Sequence, residues 1–103
     1  MVNREFAVNI VKSFIEECKI SGLNFYKVFI FGSAARDRMH DWSDIDLLLI
    51  SDQFSDNIFE NIKLYSKINI KYPRIETHPY PTTHYLNGDS FIDEIKKESI
   101  EIN

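Results

Sequence analysis

Apolar side chains recur four apart at Phe6, Ile10, Phe14 and Cys18, with Ala7 and Val11 alongside; Arg4, Lys12, Glu16 and Lys19 lie off that stripe. The spacing predicts an amphipathic helix from Asn3 to about Ile20, stopped by Gly22. Phe25 to Phe31 reads Phe-Tyr-Lys-Val-Phe-Ile-Phe. It is apolar on both faces and rich in β-formers, which predicts a well-buried strand. Gly32 breaks that strand, and Ser33-Ala34-Ala35-Arg36 reads as the opening of a short helix with Ser33 as its N-cap. His40–Ser43 is polar and loop-like, and Asp44–Ser51 is a second strand.

Asn57 to about Ile68 carries Ile58, Ile62 and Tyr65 at helical spacing, with Phe59 beside them. Arg74 to His78 is a third strand, closed by Pro79 and Pro81. Thr82 to Leu86 makes one helical turn, ended by Asn87-Gly88. Ser90 to about Glu98 places Phe91, Ile92 and Ile95 on one side of a last helix, and Ser99–Ile102 adds a short edge strand. Helices and strands in this order predict a small α/β sheet with helices packed on it. A chain of 103 residues is expected to form one domain, residues 1–103.

Composition narrows the classes of function. The net charge is −4, which argues against sequence-independent binding to a polyanionic backbone. A lone cysteine, Cys18, excludes an internal disulfide and every Cys-cluster zinc site; at its place on the helical stripe it reads as core. The apolar run Ile45–Ile50 is interrupted by Asp46 and is far too short for a bilayer. The first residues have no signal-peptide apolar region behind them, so a cytoplasmic location is expected. Charge is uneven: residues 1–40 carry +2, residues 41–70 carry −4 and residues 71–103 carry −2. The acid excess therefore peaks in the stretch that holds the most apolar run. A carboxylate there calls for a partner, because burying it alone is costly.

The first strand ends in Gly32-Ser33, and ten residues later Asp44-Ile45-Asp46 opens the second. Residues i and i+2 of a strand share a face, so Asp44 and Asp46 project together, with Leu48 and Ile50 continuing that face as core. Two carboxylates about 4 Å apart repel by about 4 kcal/mol at an effective dielectric near 20. Either one takes a proton or a cation lies between them. Oxygen ligands without cysteine favour Mg²⁺, or Mn²⁺ in its place. The plainer reading makes Asp44 a turn residue and leaves Asp46 facing solvent. The Ser33–Asp44 linker is short for a parallel crossover. An antiparallel pairing sets Gly32-Ser33 beside the two aspartates. A helical crossover to strand three brings Glu76 to the same rim. A glycine before a helix start is also a phosphate cradle, with free amides, a positive dipole and room for close approach.

Phe31-Gly32-Ser33, nine residues, then Ser43-Asp44-Ile45-Asp46-Leu47-Leu48 resembles the signature of the DNA-polymerase-β-like nucleotidyltransferase superfamily, and within it the minimal nucleotidyltransferases. Ala35-Arg36 and the segment Arg74–Tyr80 resemble the same group. The resemblance implies a palm-like mixed β-sheet flanked by helices, of the α/β (α+β) class. It implies two Mg²⁺ ions held by Asp44 and Asp46 with Glu76 completing the set, a nucleoside triphosphate such as ATP, and transfer of the monophosphate to a hydroxyl. Glu76 stands where many members carry Asp. Many minimal nucleotidyltransferases are antitoxins beside a small all-helical HEPN-type toxin, adding AMP to a toxin tyrosine or neutralising it by binding alone. The rival readings are thus a non-catalytic subunit that occludes a helical partner, and an enzyme acting on a small molecule such as an aminoglycoside.

Gly32, Ser33 and Arg36 are the candidate nucleotide-binding residues. Arg36 can meet the triphosphate or pair with Asp37 or Asp41. On strand three, Glu76 shares a face with Arg74 and His78, and an Arg74–Glu76 ion pair is its structural alternative. His40, His78 and His84 would make a zinc site only by converging, which their spacing does not favour. Trp42 reads as a packed anchor rather than a base-stacking platform, and Lys96-Lys97 as a solvated helix face.

Overall fold

The computed structural model describes residues 3–36 and 44–102. Helix α1 (Arg4–Ile20) starts where the Asn3 side chain caps the Phe6 amide, with Glu5 in its first turn and Lys19 in its last. Both charges suit the helix dipole. Its buried line is Ala7, Val11, Phe14 and Cys18. Phe6 is exposed, because strict four-residue spacing drifts about 40° per turn on a helix of 3.6 residues per turn. The Cys18 thiol is free and buried, and burial pushes its pKa up to about 12.

Strands β1 (Lys27–Phe31) and β2 (Ile45–Ser51) pair antiparallel. The chain then passes through α2 (Ile58–Lys63) and α3 (Ser66–Asn69) to β3 (Ile75–Pro81), which runs parallel to β2. Helices α4 (Thr82–Asn87) and α5 (Ser90–Lys96) follow, and β4 (Ile100–Glu101) closes the sheet against β1. The strand order is β3-β2-β1-β4, a mixed sheet of the α+β kind. No helix among the described residues is long and apolar enough to cross a membrane.

Each face of the sheet carries its own core. Val28, Ile30, Ile45, Leu47, Leu49 and Ile75 meet α1 and Tyr65 on one side. Phe29, Leu48 and Ile50 meet Ile92 and Ile95 of α5 on the other. Covering both faces explains why β2 reads as a nearly continuous apolar run; among its residues only Asp46 is not fully buried.

Three expectations differ from the structure. The helix expected over Asn57–Ile68 is two helices. Asn57 caps α2, but Tyr65 leaves the helical path at φ −137°. Its ring is buried against Phe14, with centroids 6.1 Å apart, and its hydroxyl meets Thr77 Oγ1 at 2.8 Å. Reaching that slot takes precedence over continuing the helix. Strand three does not stop before its prolines. The Ile75 amide bonds to Tyr72 O, away from β2, whereas Arg74 O accepts from Ile45 N. Odd-numbered residues of β3 thus turn their amides to the open edge, where Pro79 and Pro81 sacrifice no ladder bond. The third difference, at Ser33, belongs to the site.

Candidate active site

The two strand registers assemble the rim. Phe31 lies opposite Asp46 across the antiparallel pair, and Asp46 lies opposite Glu76 across the parallel one. Gly32, the next residue, has φ +73°. A Cβ on Gly32 would sit 2.4 Å from Asp46 Oδ2. Glycine is therefore required twice, for a backbone angle that L-residues avoid and for room beside the carboxylate.

Ligand atoms of Asp46, Glu76 and His78 all lie within 4.8 Å of one another. Glu76 and His78 are i and i+2 on β3 and share a face. Asp46 and His78 are partly buried, and His78 Nε2 is 3.9 Å from Asp46 Oδ1. The imidazole is flanked by Phe31, at 5.2 Å between centroids, and Phe91, at 6.2 Å. Two carboxylates at this separation repel by about 3–4 kcal/mol at an effective dielectric near 20. Two oxygen donors and one nitrogen donor converging on one point fit a divalent cation. Further along the same face, burial and the nearby Asp89 raise the Tyr80 pKa.

Beside this cluster the chain turns. The expected helix start capped by Ser33 is instead a turn in which Arg36 N bonds to Gly32 O at 3.3 Å. Gly32 takes the capping place because its positive φ lets its carbonyl close the turn. Ala34 and Ala35 are buried, and the Arg4 guanidinium of α1 donates to Ala35 O, so the turn is held from behind. In front of it a cleft of about 350 Å³ opens between Gly32, Phe31 and Arg36 on one side and Phe91, Ile95 and Glu98 on the other. That is the size of a small-molecule site.

The structure thus brings Gly32, Asp46 and Glu76 to one rim, with Ser33 in the adjoining turn. Asp44 is exposed and immediately precedes β2. It is not part of the group within 4.8 Å. Arg36 pairs with Glu98 at 3.3 Å, both exposed. Its expected alternatives, Asp37 and Asp41, lie outside the described residues, as do His40, Trp42 and the His40–Ser43 loop. His84 does not join His78; it faces Asp56 at 3.1 Å and Asp89 at 3.9 Å. Lys97 bonds Glu94 on the exposed face of α5. The residue that sequence reasoning set aside is His78, and the available signal was its i+2 spacing from Glu76.

A model of the nucleotidyltransferase domain matches residues 11–102, and the chain belongs to that family. It is a transferase of the DNA-polymerase-β-like superfamily, in agreement with the Gly-Ser and Asp-x-Asp pattern. Among solved structures it is similar to a crystal structure from Sulfolobus solfataricus described as a candidate nucleotidyltransferase, with a TM-score of 0.69 and 24% identity, over 95% of this chain and 80% of that one. That likeness supports the fold. No curated protein matches the chain.

Proposed function

We propose that the chain transfers AMP from ATP to a hydroxyl, using divalent cations held by Asp44, Asp46 and Glu76. The observation that carries the reading is the packing of Gly32 against the Asp46 carboxylate, which sets the Gly32 turn beside paired carboxylates. Two Mg²⁺ ions, or Mn²⁺ in their place, supply charge neutralisation and a more acidic attacking hydroxyl when bound. The backbone amides of the Gly32 turn and the Ser33 hydroxyl donate to phosphate oxygens. Arg36 exchanges Glu98 for the triphosphate at little cost, since an exposed pair is worth only about 0–1 kcal/mol. The acceptor oxygen bonds to the α-phosphorus, the bond from that phosphorus to the α,β-bridging oxygen breaks, and pyrophosphate leaves with the electron pair. Glu76 takes the hydroxyl proton.

Following the family resemblance, the acceptor is a hydroxyl on a small all-helical HEPN-type partner that this protein neutralises. Thermal unfolding tests the nucleotide part. Mg²⁺ plus ATP raises Tm more than either alone, by roughly 10–20 °C at 100 times Kd, equivalent to about 2.7 kcal/mol. No rise with any of the four nucleoside triphosphates, with Mg²⁺ or Mn²⁺, would overturn the reading. Neutralisation of the partner by an Asp46→Asn variant as complete as by wild type would instead favour occlusion without catalysis.

A further inference from the structure

His78 is held beside the carboxylates by ring contacts with Phe31 and Phe91, which leave its polar Nε2 unused. Its Nε2 is shielded from solvent and has no hydrogen-bond partner among the described residues. Buried polar atoms ordinarily have one. The 3.9 Å to Asp46 Oδ1 is too long for a hydrogen bond. It lies between the about 3.0 Å of adjacent ligands and the about 4.2 Å of opposite ones at metal–ligand distances of about 2.1 Å, so both atoms can reach one cation after a side-chain adjustment. Glu76 completes the group within 4.8 Å. Phe31 and Phe91 flank the ring, and confining it in advance lowers the entropy lost on ligation.

We infer that His78 is a direct ligand of the cation at the Asp46–Glu76 rim and makes this site prefer Mn²⁺ to Mg²⁺. Mg²⁺ demands oxygen donors and gives up water reluctantly. An imidazole nitrogen suits transition-metal ions, and adding one to two carboxylates moves the donor set in their direction. The inference rests on the proposed reading for the cation's role in transfer, but not for its ligands.

The test is spectroscopic and needs no turnover. The full chain is loaded with Mn²⁺ alone, and electron spin-echo modulation reads imidazole-nitrogen coupling to the ion. Wild type gives the coupling. It persists when His40→Gln and His84→Gln are combined, which leaves His78 as the last of the chain's three histidines. His78→Phe keeps a ring between Phe31 and Phe91, and His78→Gln keeps a polar end. Both lose the coupling and bind Mn²⁺ at least about 10-fold more weakly, while Mg²⁺ affinity, measured by competition, stays within about 3-fold. Mn²⁺ bound without nitrogen coupling, or a Mn²⁺/Mg²⁺ preference unchanged in both variants, would overturn the inference and leave the proposed function standing. Coupling that depends on His78 in a chain that transfers no nucleotide would uphold the inference against that function. Failure to bind Mn²⁺ at all would overturn the inference, while the proposed function falls only if Mg²⁺ or Mn²⁺ with a nucleoside triphosphate also leaves Tm unchanged.

Discussion

Replacing Gly32 by alanine separates backbone strain from damage to the site. At φ +73° an L-residue costs about 1–2 kcal/mol, partly offset by about 0.4–1 kcal/mol from a stiffer unfolded chain. The new methyl would also meet Asp46 Oδ2 at 2.4 Å. The carboxylate is the free end of a short side chain, so it swings aside by about 1 Å rather than unfolding the sheet. A displacement of that size costs about 10²-fold in a positioned reaction. Gly22 supplies the control: its φ is +102° and nothing lies within 4 Å of an added Cβ. Both variants lose up to about 1–2 kcal/mol, or several degrees of Tm. Gly32→Ala alone loses divalent-ion binding and nucleotidyl transfer by about 10²-fold. Urea unfolding read beside Mn²⁺ titration and single-turnover transfer distinguishes the two effects. Activity of Gly32→Ala within a few-fold of Gly22→Ala would refute the argument that the glycine exists to seat Asp46.

Asp44→Asn combined with Asp46→Asn should abolish transfer while keeping or raising stability in metal-free buffer, where repulsion at the rim is relieved; transfer near the wild-type rate would remove these residues from the chemistry. Away from the site, hydrogen bonds from Lys71 and then Tyr72 hold the Glu17 carboxyl below its ordinary pKa of 4.5. The folded state then binds this proton more weakly than the unfolded one, so the stabilisation is present above about pH 5 and is lost as pH falls through the depressed pKa. Glu17→Gln should flatten that acid limb in urea unfolding, and equal slopes for variant and wild type below pH 5 would refute the contribution.

Much of the sheet was legible because each strand carried a local signal. The Phe25–Phe31 and Asp44–Ser51 runs and the short linker between them led to the antiparallel pair, and with it to Gly32 beside Asp46. The crossover helix led to Glu76 opposite Asp46. What was not legible depends on tertiary choices. Tyr65 breaks a helix because its ring and hydroxyl have a buried slot against Phe14 and Thr77. Pro79 and Pro81 sit within β3 because their amides face the open edge. Asp44, placed beside Asp46 by the pleat and by the family resemblance, immediately precedes β2, which begins at Ile45. The i+2 spacing within β3 places His78 beside Glu76, but its other neighbours, Asp46 of β2, Phe31 of β1 and Phe91 of α5, come together only in the fold. Arg36 was weighed against acids nearby in sequence, and the structure pairs it with Glu98, 62 residues away.

The central claim is that the rim formed by Gly32, Asp46 and Glu76 moves a nucleoside monophosphate. It is tested most directly by single-turnover transfer from ATP labelled at either the α- or the γ-phosphate, with Mg²⁺ or Mn²⁺ and a purified all-helical HEPN-type protein as acceptor. The account predicts α-label on the acceptor, no γ-label, and one pyrophosphate released per transfer. Glu76→Gln should slow the reaction by about 10²–10⁴-fold while retaining affinity for the metal–ATP complex. Transfer of γ-label, absence of transfer with either cation, or a Glu76→Gln rate within a few-fold of wild type would contradict it.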